Sequence, residues 1–230
     1  MQQILEKPLS RLHYKRLRWY FQGSVSRGAP SRTDSIDLDL AAADLIERRD
    51  SAYAGSVFYK ITSLGEKELA AEKVREIARR RPHHDLASRL AFWLQESGRI
   101  TWENIELLVP HAEGGQQAVR PDVFSMAATY DEKRINPCVH EVKVSRADFL
   151  GDLAKPEKRE GYMQVAEVFY YVAPAGMIAP DEVPANCGLI AESTPGIFKV
   201  IKKPKKRPIS LRPHTFMNLI LKPGTVKPLI

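Results

Sequence analysis

The spacing of apolar and polar positions divides the chain into stretches of helix and strand character. Between Leu9 and Gln22, Arg11, Lys15 and Arg18 recur at helical spacing beside a stripe of Tyr14, Leu17 and Phe21, which predicts a helix. A Gly/Ser/Pro-rich break, GSVSRGAPSRTDS, follows it. A short helix then runs into LIERRD, a small loop and the β-rich VFYKIT. Ser63 has the chemistry of a cap for a long helix, with Glu66 three residues on completing a capping box. A second part starts near Pro82. There HHDLASRLAFWLQESG is amphipathic, with Leu86, Leu90, Trp93 and Leu94 toward a core and Gly98 as a stop. Three strand-like runs follow: ITWENIELLVP, then AVRPDVFSMAA after a GGQQ turn, then CVHEVKVS after DEKRINP. EKREGYMQVAE reads as a helix, and VFYYVAP is the continuous apolar run of a strand buried on both faces. GLIAES and IFKVIKK read as a late hairpin. Helix, three strands, helix, strand is an α/β order in which helices cover a sheet. The expected organisation is a small helical domain over 1–81, an α/β domain over 82–208 and a basic, apolar extension over 209–230.

Composition adds bounds rather than detail. With 230 residues, 43% hydrophobic and 27% charged, the chain has ample material for a core. Its two cysteines, Cys138 and Cys187, lie far apart and outside any C-x-x-C pair, which argues against a zinc knuckle or a disulfide scaffold. No apolar run approaches a membrane span and no apolar signal core opens the chain, so the expected location is cytoplasmic, with no membrane partner.

Charge changes the picture more. After Glu192 there is no acidic residue, yet nine basic ones follow, from Lys199 to Lys227, against a net charge of +7 for the whole chain. Residues 1–36 are also basic-rich. Positive charge gathered at the two ends attracts polyanions, and DNA is the expected partner. The strip holding Lys202, Lys203, Lys205, Lys206 and Arg207, broken by Pro204 and Pro208, suits an extended phosphate-binding segment; the alternative is a solubilising tail.

The chemistry sits in RPDVFSMAATYDEKRINPCVHEVKVSRADFLGD. Side chains alternate along a strand, so Glu141 and Lys143 share one face while Val142 and Val144 share the other. Asp122 precedes them on a neighbouring strand. Two carboxylates converging across adjacent strands make a hard-oxygen site suited to Mg²⁺, with Mn²⁺ as a substitute. A lysine beside them orients an attacking water or stabilises charge on a phosphoryl group. The bland alternative is a sheet surface whose acids pair with Lys143 across strands.

Two resemblances sharpen this. Residues 35–80 resemble the closing half of a winged helix-turn-helix: helix, two-stranded wing, tyrosine-rich strand, then T-x-x-G opening the last helix. Asp37, Asp39 and Asp44 lie where a recognition helix would face phosphates, so this part could equally hold a protein partner or a second copy of the chain. Pro121-Asp122 followed by Glu141-Val142-Lys143 resembles the PD-(D/E)XK nuclease superfamily. The block HEVKVSRADFLGDLAKPEKREGY…VFYYVAP…VPANCGLIAES resembles its MmcB-like DNA-repair branch over about residues 83–205. The resemblance implies a restriction-endonuclease-like core, with a mixed sheet flanked by helices, and a metal-dependent DNA endonuclease. It implies Asp122, Glu141 and the Val142 backbone as metal ligands and Lys143 as the catalytic lysine. A further acid stays open among Glu106, Glu96 and Glu103. Ser145, Arg146, Lys155 and Lys158 follow the motif as candidate phosphate contacts, and Gln164 sits where related nucleases place a polar DNA contact. The alternative function is a DNA-binding accessory subunit of the same fold with little cleavage of its own.

Other residues read more plainly. His83 and His84 suit the start of a helix better than a metal site, having no third ligand at a telling spacing. His140 flanks Glu141 but points to the opposite face. Tyr170 and Tyr171 read as core packing.

Overall fold

A computed structural model describes residues 8–23, 29–32, 34–50, 57–111 and 114–225. The centre of the Gly/Ser/Pro-rich break, the loop between the two wing-like strands and Lys227 fall outside these residues. The chain divides into two compact units, Met1–Arg80 and Arg81–Ile230.

In the first unit, α1 (Arg11–Gln22), β1 (Ala29–Pro30), α2 (Ser35–Ala42), β2 (Ile46–Asp50) and β3 (Val57–Ile61) precede α3 (Ser63–Glu96). The three strands form an antiparallel sheet in the order β1-β3-β2, over a core that includes Leu17, Tyr20, Leu40, Leu45 and Ile61. Asp37 does not face outward. It is buried, and its carboxylate accepts from Arg16, the Tyr20 hydroxyl, Ser31 and the Arg32 amide. These contacts hold it ionised against its burial. The cap of α3 is Thr62 rather than Ser63: the Thr62 hydroxyl accepts from the Gly65 amide at 3.0 Å and donates to the Asp44 carbonyl at 2.6 Å. A Cβ on Gly65 would meet the Leu45 carbonyl oxygen at 2.2 Å, so T-x-x-G is a close-approach motif here.

The second unit begins where the sequence places its second part, at Arg81 beside Pro82, but the helices read on either side of Pro82 are one, α3, which runs from Ser63 to Glu96. A proline forfeits one helical hydrogen bond and crowds the carbonyl four residues earlier. The burial of Leu86, Leu90 and Leu94 on its far side carries the helix through His83, His84 and Asp85, which are weak helix formers.

The second unit holds the rest of α3 and the strands β4 (Arg99–Glu103), β5 (Leu107–Pro110), β6 (Gln116–Val119), β7 (Val123–Ala127), β8 (Cys138–Val142), β9 (Val168–Pro174), β10 (Gly188–Thr194) and β11 (Ile197–Lys202). Its helices are α4 (Arg146–Leu153), α5 (Pro156–Tyr162) and α6 (Pro213–Leu221). The main sheet has six strands in the order β11-β10-β9-β8-β7-β4. β8, β9 and β10 are mutually parallel, and the flanking pairs are antiparallel. This is a mixed α/β sheet flanked by helices. Two long strand runs of the sequence are each divided. Asn104, with φ 51°, separates β4 from β5, and Pro121-Asp122 separates β6 from β7. The freed β5 and β6 pair with each other as a separate hairpin.

The two faces of the sheet have distinct covers. Phe124, Val139, Phe169, Tyr171 and Leu189 pack with Phe149 of α4, Tyr162 of α5 and Leu219 of α6. Val123, Val142, Val172 and Ile190 pack with Leu86, Leu90 and Leu94 of α3. Along β8 the alternation therefore sends Val139 and Glu141 to one side, and His140 and Val142 to the other.

Candidate functional site

Asp122 lies in the bend immediately before β7, and Glu141 is the penultimate residue of β8. β7 and β8 run antiparallel with Val123 opposite His140, so the bend brings Asp122 to the end of β8. Asp122 Oδ2 accepts the Val142 amide at 2.8 Å, and His83 Nε2 on α3 meets the same oxygen at 3.2 Å. Asp122 and Glu141 line one cavity of about 350 Å³, walled by Gln117 to Arg120 of the hairpin and by Glu157, Lys158 and Tyr162 of α5.

Glu141 is 3% exposed. Its Oε1 accepts from Lys143 at 3.1 Å and from Lys158, while its Oε2 is buried with no hydrogen-bond partner. Burial raises the pKa of Glu141, the Asp122 carboxylate raises it further, and Lys143 and Lys158 pull it back. Lys143 stands just past β8, with its side chain buried against Glu141 and against Asp152 at 3.2 Å. Burial opposes its charge, but Glu141 and Asp152 prevail and raise its pKa, so the ammonium persists. It lies behind Glu141 and is not among the residues lining the cavity. The lysine on the cavity wall is Lys158, whose Nζ also reaches Asp152 Oδ1 at 3.2 Å and lies 5.4 Å from the centre of the Tyr162 ring.

Asp152, on the inner side of α4, accepts from both lysines and from the Tyr171 hydroxyl at 2.7 Å. Those partners lower its pKa against the burial that would raise it. Neither Asp152, Glu157 nor His83 is anticipated as a site residue by sequence reasoning. The available signal for Asp152 is that Asp148 and Asp152 are four apart on one helix face, and Lys143 reaches both, Asp148 at 3.7 Å. His83 is expected only to start a helix; instead it lies inside α3, where its contact with Asp122 raises its pKa against the burial that lowers it.

The other candidates are distributed as follows. Glu106, just ahead of β5, is exposed and accepts from Arg120 at 2.5 Å. Glu103 accepts from the Ser88 hydroxyl, and Glu96 ends α3. Ser145 caps α4 through the Asp148 amide. Arg146 is exposed and forms a two-pronged pair with Glu182, at 2.6 and 2.7 Å. Lys155 is the exposed residue that opens α5, and Gln164 donates to the Pro110 carbonyl at 3.2 Å. In the basic strip, Lys202 and Arg207 spend their donors on backbone carbonyls, Lys202 on Val183 and its neighbours, Arg207 on Met163 and Ala166. Lys206 pairs with Glu167 at 3.5 Å, while Lys203 and Lys205 are exposed.

Among the described residues no group of three or more His, Cys, Asp and Glu side chains is arranged to hold a metal ion. What the cavity offers is a pair of carboxylates, one of them with a buried, orphaned oxygen. Two hard-oxygen ligands and room for water fit Mg²⁺, which keeps much of its hydration when bound by proteins. Among the same residues, no helix is long and apolar enough to cross a membrane.

No protein-family model matches the chain, and no curated protein matches it. Among solved structures, it is similar to SPO1766, a protein of unknown function from Silicibacter pomeroyi, at 22% identity and a TM-score of 0.44, over 61% of this chain and 82% of that one.

Proposed function

We propose that the second unit is a Mg²⁺-dependent DNA endonuclease of restriction-endonuclease-like architecture, and that the first unit is winged-helix-like. The observation that carries this reading is the pairing of Asp122 with Glu141 on one cavity wall, where Glu141 keeps an unpartnered oxygen. The strand plan supports it: an antiparallel β7–β8 pair presents both acids, and α4 and α5 then cross to the parallel strand β9. Asp122 and Glu141 would hold the ion, which would supply Lewis acidity and charge neutralisation for phosphodiester cleavage. Val142 and His83 fix the orientation of Asp122 through Oδ2. Lys143, at 3.1 Å, opposes from behind the rise that burial and Asp122 give the pKa of Glu141. Lys158 presents a cation at the cavity wall, where it can meet a non-bridging phosphate oxygen. The test is cleavage of duplex, flap, junction and single-stranded DNA by the purified chain with Mg²⁺ and with Mn²⁺. Metal-dependent products lost in Glu141→Gln support the reading, and no product on any substrate overturns it.

One observation favours the second reading, a nuclease-fold DNA-binding subunit with little cleavage. Lys158 already places its ammonium on Glu141 and Asp152, so the acids carry an internal counter-charge. The same assay separates the two: DNA binding without metal-dependent cutting supports the subunit.

A further inference from the structure

On the opposite side of the sheet from Glu141, between the end of α3 and the strands, lies a second cavity of about 350 Å³. It is a separate space from the one that holds Asp122, and nothing in the endonuclease reading uses it. Its walls are aromatic and aliphatic, with Trp93 from α3, Tyr170 from β9 and Ile190 from β10. No acidic side chain lines it, whereas Arg99, Lys203 and Lys206 do. Lys203 and Lys206 are exposed, so the cationic side is open to water. The volume lies in the range of small-molecule sites, which pair apolar walls with a few placed polar groups.

The wall includes one such polar group. His140 is 1% exposed and lies parallel to Tyr170, with ring planes 8° apart and centroids 5.6 Å apart. Arg99 Nε donates to Ser125 Oγ at 2.8 Å, and Ser125 Oγ lies 3.0 Å from His140 Nε2. The Ser125 hydroxyl has one donor and two acceptor sites, so it serves Arg99 and either tautomer of the His140 ring. Nδ1 is buried and has no partner. Burial, with Arg99 adding to it, lowers the pKa of His140 to about 3, so the ring stays neutral. Aromatic walls with an unpartnered ring nitrogen among them, behind an opening of lysines, suit a flat heteroaromatic ring that carries a negative charge.

We infer that this cavity binds a planar heteroaromatic ring joined to a phosphate, the chemistry of a nucleoside monophosphate, with the ring against Trp93 and Tyr170 and the phosphate toward Lys203 and Lys206. A free mononucleotide and an unpaired base of a single strand share that chemistry. The test is calorimetric titration of the full chain with dAMP, deoxyadenosine, inorganic phosphate and a single-stranded dodecamer. The wild type is compared with Ser97→Trp, which places bulk at the exposed edge of the cavity, and with the pair Lys203→Glu and Lys206→Glu. Both variants alter exposed positions, and thermal melting checks that each is folded. The expected result is dAMP binding that weakens about tenfold without its phosphate, and at least as much in the charge-reversed pair, as charge-assisted contacts to phosphate require. Ser97→Trp should abolish it. Dodecamer binding lost in Ser97→Trp, with no binding of dAMP, assigns the cavity to an unpaired base of a strand. The inference is overturned if neither ligand binds, if inorganic phosphate binds as tightly as dAMP, or if Ser97→Trp leaves all binding unchanged.

Discussion

Lys143 and Lys158 donate to the same oxygen of Glu141, Oε1, and each also reaches Asp152 Oδ1 at 3.2 Å. Two ammonium groups and two carboxylates thus close a balanced cluster against the cavity. The lysines are not equivalent, since the Lys143 side chain is 4% exposed and that of Lys158 is 40% exposed. One is built into the core, and the other can leave.

That asymmetry predicts opposite outcomes for the two lysines. Lys143→Met leaves Glu141 and Asp152 under-compensated in a buried place and should cost about 3–5 kcal/mol, read as a lower urea midpoint. Lys158→Met should cost under about 1 kcal/mol, because an exposed partner is screened by water. It should also tighten Mn²⁺ binding by about tenfold in a calorimetric titration, since one positive charge leaves the two acids. Weaker Mn²⁺ binding in Lys158→Met would remove the competition between lysine and ion.

Asp122 has two separable duties, one to the backbone and one to the cavity. Asp122→Ala should lose Mn²⁺ binding and also destabilise the protein by about 1–3 kcal/mol, because the Val142 amide loses its acceptor. Asp122→Asn keeps an acceptor for that amide and should lose the ion while recovering most of the stability. Calorimetry with a parallel melt distinguishes the two losses.

His83 gives the fold a dependence on pH. Its folded-state pKa is raised above the ordinary value of 6.5, first by the contact with Asp122. A raised pKa contributes stability in full below 6.5, and that contribution disappears as pH rises through the folded value. Wild type should therefore exceed His83→Gln in melting temperature at pH 5.5, and the gap should close by pH 9. A gap that widens with pH would contradict the ion pair.

The basic strip separates into anchored and free charges. Arg207→Ala strands the Met163 and Ala166 carbonyls and should cost about 1–3 kcal/mol. Replacing the exposed Lys203 and Lys205 with Gln should leave the fold intact and flatten the slope of log DNA affinity against log salt by about two units, at about 0.9 per phosphate contact. An unchanged slope would assign these lysines to solubility.

The sheet was largely legible, because VFYYVAP and CVHEV carry their burial in their own composition and alternation. Strand ends were less so. The division at Asn104 depends on a left-handed backbone, and nothing local to ITWENIELLVP announces it. Pro82 marks where the two units divide but not the end of a helix, since its local breaking tendency yields to burial on its far side. Within the site, Asp122, Glu141 and Lys143 follow from strand spacing and resemblance. The His83–Asp122 contact spans distant parts of the chain and has no periodic signal. Asp152 is hidden because a lone inward acid on a helix reads as solvated until its lysines are seen. The segment after residue 208 reads as an extension, yet Pro213–Leu221 form α6, whose Leu219 joins the core.

β8 places His140 and Glu141, adjacent in sequence, on the walls of two different cavities. The register of that strand is therefore fixed from both faces at once. A slip of one residue in that register would exchange the two side chains, setting a carboxylate among aromatic rings and an imidazole beside Asp122. A change of two would restore the faces but shift both side chains along the strand together. Length added in the turn at Gly114 and Gly115 lies away from β8 and leaves that register alone.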